Sequence, residues 1–177
     1  MSDKKLTVRH AVSTDREATI GVLLDAYQQY EQTLSAERWA QYKDSILQAI
    51  DSATTKARLV AELDGEIVGS VFLYDSSETA YGAPQLEIHN PIIRLLGVSR
   101  GARGFGVATE LIRSSAKLAL EWEADTLHLH TSDMMDSAVR LYERLGFERA
   151  YDKEFMNGDL LVKSYRLPLK ESVLLQA

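Results

Sequence analysis

Three of the ten glycines fall within six residues, Gly101, Gly104 and Gly106. They lie in the run Val98, Ser99, Arg100, Gly101, Ala102, Arg103, Gly104, Phe105, Gly106, Val107, Ala108, Thr109. A strand-like stretch, 92–98, precedes this run, and apolar positions at Leu111, Ile112, Ala116 and Ala119 predict a helix over 105–122 after it. A glycine turn that opens a helix exposes backbone N–H groups at the positive end of the helix dipole, which is anion-binding chemistry. Gly104 and Gly106 let a phosphate approach the main chain without a Cβ in the way. Arg100 and Arg103 add charge beside the turn, and Arg113 and Lys117 lie farther along the helix. The competing interpretation is a tight strand-to-helix turn with solvated arginines. Two phosphate motifs fit poorly. A Walker A loop needs Lys followed by Ser or Thr where Val107 and Ala108 stand. A dinucleotide fingerprint needs Gly or Ala at Thr109, and Asp133 is only a loose match to its acidic residue.

Other polar side chains stand out around these elements. Tyr142 shares a helical stripe with Ala138, Leu141 and Leu145, so its ring packs while its hydroxyl can reach a pocket. Glu87 and His89 lie just upstream of the 92–98 strand, where the ordinary reading is a loop or strand-end residue. His128 and His130 alternate on one strand face; with no third ligand in view, packing is favoured over metal binding, and no metal is expected. The chain has no cysteine, which excludes disulfides, thiolate metal ligands and a cysteine nucleophile. Twenty Lys+Arg against 26 Asp+Glu leave a net charge of −6, and that balance argues against nucleic acid as the main partner.

The elements that must position these residues follow from periodicity. Leu6 to Val12 alternates as a strand. Thr14 and Asp15 can cap a helix over 15–33 with Ile20, Leu23, Leu24 and Tyr27 on one face. Ser35 caps a second helix, 36–51, with Trp39, Tyr42, Ile46 and Ile50 on a stripe that packs into the core or walls a ligand pocket. Strands 58–63 and 67–74 flank Asp64, Gly65 and Glu66 as a hairpin. A polar loop, 75–90, leads to the 92–98 strand. After the 105–122 helix come a strand at 126–131, a helix at 134–145 ended by Gly146, and strands 147–156 and 159–167 around a type I′ turn at Asn157 and Gly158. This order predicts one α/β domain on a mixed sheet, spanning 1–168, followed by a tail, 169–177, that is either flexible or an oligomer contact such as a homodimer seam. The first eight residues lack the apolar core of a signal peptide, and no apolar run approaches the ~20 residues of a membrane span, so a cytoplasmic protein with no membrane partner is expected.

Arg103, Gly106 and Ala108, spaced as Arg-x-x-Gly-x-Ala after Leu95, Leu96, Gly97 and Val98, closely resemble the acyl-CoA-binding motif of the GCN5-related N-acetyltransferase (GNAT) family. A second block, about 30 residues on, resembles that family's next helix and strand: Ala138, Tyr142 four residues later, and the terminal pair Gly146 and Phe147. The resemblance is strongest over 92–168 and rests on element order alone over 5–75.

The resemblance implies a GNAT-like fold, a mixed sheet of about 6–7 strands flanked by about 4 helices. Strands 92–98 and 126–131 would splay apart to form the cofactor cleft. It implies acetyl-CoA bound by Leu96, Gly97, Val98, Arg103, Gly104, Phe105, Gly106, Val107, Ala108 and Thr109, with pantetheine along the edge of the first strand. The activity implied is transfer of an acetyl group to a primary amine of a small molecule or peptide, by direct attack through a tetrahedral intermediate. Tyr142 matches the position of the acid that protonates the leaving thiolate. Relatives often carry a glutamate base two residues before the arginine that Arg94 matches; here Ile92 fills that slot, which leaves Glu87 and His89 as candidates. Met135 stands where relatives often have asparagine. The alternatives are a catalytically silent acyl-CoA-binding module and, more remotely, a nucleotide-dependent oxidoreductase.

Overall fold

The computed structural model describes residues 5–28, 32, 34–132, 136–157, 160–170 and 172–175. Two units share the chain, one from Met1–Phe72 with Leu95–Ile112, the other from Leu73–Arg94 with Arg113–Ala177. The fold is α/β with a mixed sheet, with eight strands and five α-helices among the described residues.

In the first unit the strand order is β1 (Leu6–His10), β2 (Ala57–Leu63), β3 (Glu66–Tyr74) and β4 (Ile92–Val98). β1 and β2 pair antiparallel from Leu6↔Leu63 to His10↔Leu59. Between β2 and β3, Asp64 and Gly65 both have positive φ, 54° and 84°, the signature of the two-residue type I′ hairpin that suits strand twist. α1 (Arg16–Tyr27) buries Val22, Leu23 and Ala26, and α2 (Ala36–Ile50) buries Trp39, Ile46 and Ile50 from the predicted stripe. Ser35 caps α2 as expected, its hydroxyl accepting the Arg38 N–H at 3.1 Å.

Asp15 departs from its expected role. It makes no side-chain cap on α1. Its carboxylate turns back to accept the Val12 N–H at 2.7 Å and two Arg9 guanidinium bonds at 2.8 and 3.1 Å, which closes the turn after β1. The helix expected over 15–33 runs only to Tyr27, and residues 29–31 and 33 lie outside the described set.

In the second unit, β4 continues the order to β5 (Thr126–Ser132), β8 (Leu160–Pro168) and β6 (Glu148–Arg149), with β7 (Phe155–Asn157) also on β8. β4 and β5 are parallel, as expected, in register Ile92↔His128 and Ile93↔Leu129. β5 and β8 pair antiparallel from Thr126↔Pro168 to Ser132↔Val162. The strand expected over 147–156 is broken into β6 and β7 by a 3-10 turn at Tyr151–Lys153. The cause lies in side chains. Glu154 pairs with Arg149 and accepts the Ser164 N–H at 3.2 Å, so a carboxylate replaces a main-chain partner opposite β8. That break raises the strand count above the expected 6–7.

The expected loop at 75–90 also holds structure: a short helix, α3 (Ser77–Tyr81), and a 3-10 turn, Pro84–Leu86. Ser76 caps α3 by accepting the Thr79 N–H, and Gly82 ends it at φ 62°. α4 (Val107–Glu121) starts two residues later than predicted, because Gly106 at φ 77° cannot be helical. α5 (Asp136–Arg144) ends near Gly146, whose φ is 102°. Asp133 to Met135 and Gly158 lie outside the described residues, with the readings attached to them. At the C-terminal end Leu169 and Leu174 are buried. Leu169 N–H donates to the Asp125 carbonyl at 2.9 Å, and Arg113 Nε donates to the Leu174 carbonyl at 3.2 Å.

Candidate functional site

The glycine-rich turn lies wholly in the first unit, with all ten residues singled out for cofactor contact between Leu96 and Thr109. Upstream, Leu95 sits in the interior of β4 at φ 54°, a left-handed conformation that costs a branched side chain about 1–2 kcal/mol. Ser99 N–H donates to the Val68 carbonyl on β3 at 2.8 Å, a 3-10 turn covers Arg100–Ala102, and Arg103 returns to extended geometry. Gly104 and Gly106 then adopt φ of 90° and 77°. A Cβ added at either would meet nothing within 4 Å, so they serve the backbone path and keep open space before it.

Helix α4 opens directly from this turn. Glu110 N–H donates to the Gly106 carbonyl at 3.0 Å. That bond leaves the N–H groups of Val107, Ala108 and Thr109 at the helix end, beyond the reach of intrahelical acceptors. Free N–H groups at a helix start are the donors that an anion site would need.

Two glycines outside the turn seat it. A Cβ on Gly69 of β3 would stand 2.8 Å from Val107 Cγ1, 3.0 Å from Leu111 Cδ1 and 3.2 Å from the Gly97 carbonyl. Gly69 therefore lets the first turn of α4 rest against the sheet. Sequence reasoning missed it, although an isolated glycine inside a strand pattern is a recognised sign of close backbone approach. A Cβ on Gly97 would stand 2.9 Å from Leu23 Cδ2 and 3.2 Å from Ala26 Cβ, so the close packing of α1 demands this glycine.

Arg100, expected to add charge beside the turn, is tied to α1. Its N–H donates to Asp25 Oδ2 at 2.8 Å and its guanidinium reaches Oδ1 at 3.2 Å. The Arg100 main-chain bond, followed by its guanidinium, holds the Asp25 carboxyl below its ordinary pKa.

The other three candidates, Tyr142, Glu87 and His89, belong to the second unit. Tyr142 is buried on α5, its ring 5.9 Å from Phe147 and 6.5 Å from Tyr165. The Phe147 N–H donates to the Tyr142 carbonyl at 3.0 Å, which ties the tyrosine to the strand that follows α5. Glu87 and His89 are exposed, and Glu87 adopts φ 53° at the end of the Pro84–Leu86 turn. The Glu87 carbonyl accepts a bond from Lys153 Nζ at 3.3 Å. Ile92 is fully buried, so an apolar core residue occupies the slot for which the resemblance suggested a carboxylate.

Beside these, the Arg94 guanidinium lies over the rings of Tyr81, at 5.0 Å, and Tyr74, at 5.6 Å, and donates to the Ala80 carbonyl at 2.8 Å. His130 Nδ1 bonds the Tyr81 hydroxyl at 3.0 Å and Nε2 reaches the Lys153 carbonyl at 3.4 Å. A carbonyl only accepts, so Nε2 carries the proton and Nδ1 accepts from Tyr81. Burial, the largest cause in both cases, lowers His130 and His128 to about 4, so both are neutral at pH 7. Both ring nitrogens of His130 are thus engaged in hydrogen bonds. Among the described residues no cluster of His, Asp and Glu is arranged to hold a metal ion.

With a strand, a glycine turn and an open helix end in place, comparison with known proteins decides the family. Residues 22–147 match the sequence model of the Acetyltransferase (GNAT) family, a span that includes both the Arg103–Ala108 motif and the Ala138–Phe147 block. The chain belongs to the GNAT family. Among curated GNAT relatives, mouse N-acetyltransferase 8F1 is 30% identical over 125 residues, covering 66% of this chain and 54% of that protein. Human N-acetyltransferase 8B is 28% identical over 124 residues, covering 66% and 52%. The chain thus spans about half the length of the curated relatives it matches.

The GNAT fold recurs in solved structures. PaiA N-acetyltransferase from Thermoplasma acidophilum, in complex with coenzyme A, aligns with a TM-score of 0.68 at 13% identity, covering 90% of this chain and 98% of that one. YncA from Salmonella typhimurium, with its cofactor acetyl-CoA, aligns with a TM-score of 0.60 at 18% identity, covering 95% and 96%.

Proposed function

We propose that this GNAT protein is an N-acetyltransferase that moves the acetyl group of acetyl-CoA to a primary amine of a small molecule or peptide. The observation that carries the reading is the left-handed pair Gly104 and Gly106 opening into α4, with open space where their side chains would be. That shape suits a pyrophosphate, which would take the N–H groups of the turn and the first turn of α4, with Arg103 adding charge. Leu96 and Val98 would offer strand-like main-chain partners to the pantetheine arm, with Gly97 between them keeping the strand close to α1.

The chemistry sets two tasks for side chains. An amine of pKa ~10.4 is protonated at pH 7 in all but about one molecule in 10³, so a base must take its proton. Glu87 and His89 are the residues proposed for this, directly or through water. The amine nitrogen then bonds the thioester carbon, the carbon–sulfur bond breaks, and the thiolate takes a proton from the Tyr142 hydroxyl. The surplus proton on the nitrogen passes through water to restore the phenol, leaving a neutral amide and free thiol. A phenol of pKa ~10 donates to a thiolate whose conjugate acid lies near ~8.5 with a modest uphill step. Direct transfer suits a chain without cysteine.

Release of free thiol from acetyl-CoA against a panel of primary amines tests this reading. Turnover with at least one amine is expected. Tight acetyl-CoA binding without thiol release from any amine would instead establish the silent binding module, for which the buried Ile92 speaks. Preferential thermal stabilisation by NAD(P) would favour the oxidoreductase. Gly106→Trp should abolish coenzyme A binding in a folded protein, because the indole would fill the phosphate position; near-wild-type affinity would refute that placement.

A further inference from the structure

The last turn of α1 grips the segment assigned to the cofactor at three points. Gly97 admits Leu23 and Ala26 against β4, as described above. The Tyr27 hydroxyl donates to the Leu96 carbonyl at 3.1 Å. Asp25 takes the Arg100 N–H at 2.8 Å and its guanidinium at 3.2 and 3.4 Å, while Gln28 Oε1 lies 3.4 Å from Arg100 Nη2.

The direction of the Leu96 carbonyl gives the Tyr27 contact its meaning. The Gly97 carbonyl lies 3.2 Å from the Cβ position of Gly69 and so faces β3. Carbonyls of successive residues in extended chain alternate in direction, so the Leu96 carbonyl faces away from β3. Tyr27 therefore holds the peptide on the edge of β4 along which an extended pantetheine arm would lie. Asp25 holds the first residue of the turn that leads into Arg103 and Gly104. Both contacts come from helix residues separated by one position, Asp25 and Tyr27, and both end on main-chain atoms.

We propose that Asp25 and Tyr27 are positioning residues for acetyl-CoA. Tyr27 orients the Leu96 peptide for the pantetheine arm, and Asp25 anchors the Arg100 turn so that the N–H groups beyond it face the pyrophosphate. This rests on the acetyl-CoA reading above. The Asp25–Arg100 pair is well exposed, with side chains 37% and 49% accessible, so its worth to stability is small and its effect on ligand geometry can be read separately.

Calorimetric titration of the intact protein with two probes tests the proposal: coenzyme A, and adenosine 3′-phosphate 5′-diphosphate as its nucleotide half. Loss of one hydrogen bond corresponds to about a fivefold weakening. Tyr27→Phe should weaken coenzyme A by about that factor and leave the nucleotide half unchanged. Asp25→Ala should weaken both probes by about five- to tenfold, with Asp25→Glu recovering most of the loss and Tm nearly constant. Near-wild-type coenzyme A affinity in both Tyr27→Phe and Asp25→Ala overturns the proposal. So does equal loss of both probes in Tyr27→Phe with a lowered Tm, the mark of a packing role alone. A folded wild type that binds neither probe overturns the acetyl-CoA reading and this proposal with it.

Discussion

Tyr142 illustrates how one side chain can serve two ends. Its ring is buried between Phe147 and Tyr165, which fixes its χ angles, while the proposed chemistry uses only the hydroxyl. Tyr142→Phe keeps the packing and removes the acid, so kcat should fall by about 10-fold or more with little change in coenzyme A affinity. Unchanged kcat, where chemistry limits the rate, would remove the assignment. His128 and His130 make a different residue-level case. Both are lowered to about 4, chiefly by burial, against an ordinary ~6.5. Between those values the unfolded chain binds more protons than the folded one. Stability therefore falls as pH drops from about 7 towards about 4, by up to ~1.4 kcal/mol per pH unit for each histidine. Urea titrations at stepped pH should show this slope, and the two imidazoles should keep neutral-form NMR shifts at pH 5.5. A flat profile with protonated shifts would contradict the burial assigned to them.

Among the elements, α4 depends on a residue far from it in sequence. Gly69 leaves the room that Val107 and Leu111 occupy, so Gly69→Val should displace the first turn of α4. Overpacking of this kind costs about 1–3 kcal/mol, and coenzyme A affinity should drop with it. A crystal structure of the variant with α4 unmoved would count against that coupling. The same contrast runs through the other elements. The β2–β3 hairpin was legible because Asp64 and Gly65 state their turn locally. α3 was not, because five residues are too few for a period to show, and Ser76, Thr79 and Gly82 act only as caps. The division of 147–156 was hidden for a further reason: Glu154 reaches Ser164 on β8, a partner ten residues away that alternation cannot reveal.

Across the molecule, charge acts locally rather than as a total. The net −6 conceals pairs such as Arg9 with Asp15 and Glu62, and Arg149 with Glu154. Arg9 and the Val12 N–H lower Asp15 to about 2 from the ordinary carboxylate value. A carboxyl so depressed stabilises the fold fully above about pH 4 and loses that contribution as pH falls through about 2. Asp15→Asn should therefore flatten the acid limb of a stability curve while leaving the neutral plateau lower; an unchanged acid limb would show that Asp15 is not responsible.

Residues 22–147, the span of the family match, contain the two blocks that carried the family resemblance in the sequence. The spacing of Arg103, Gly106 and Ala108 was legible because backbone dihedral demand and helix opening are local properties, written in glycines and periodicity. The anchoring of that turn was not. Asp25 lies 75 residues from Arg100, Tyr27 lies 69 from Leu96, and Gly69 gives no sign of what it must admit. Such contacts arise only when distant strands and helices are brought into register by burial of the core, so the tertiary fold alone decides which arginine is tied down and which peptide edge is held.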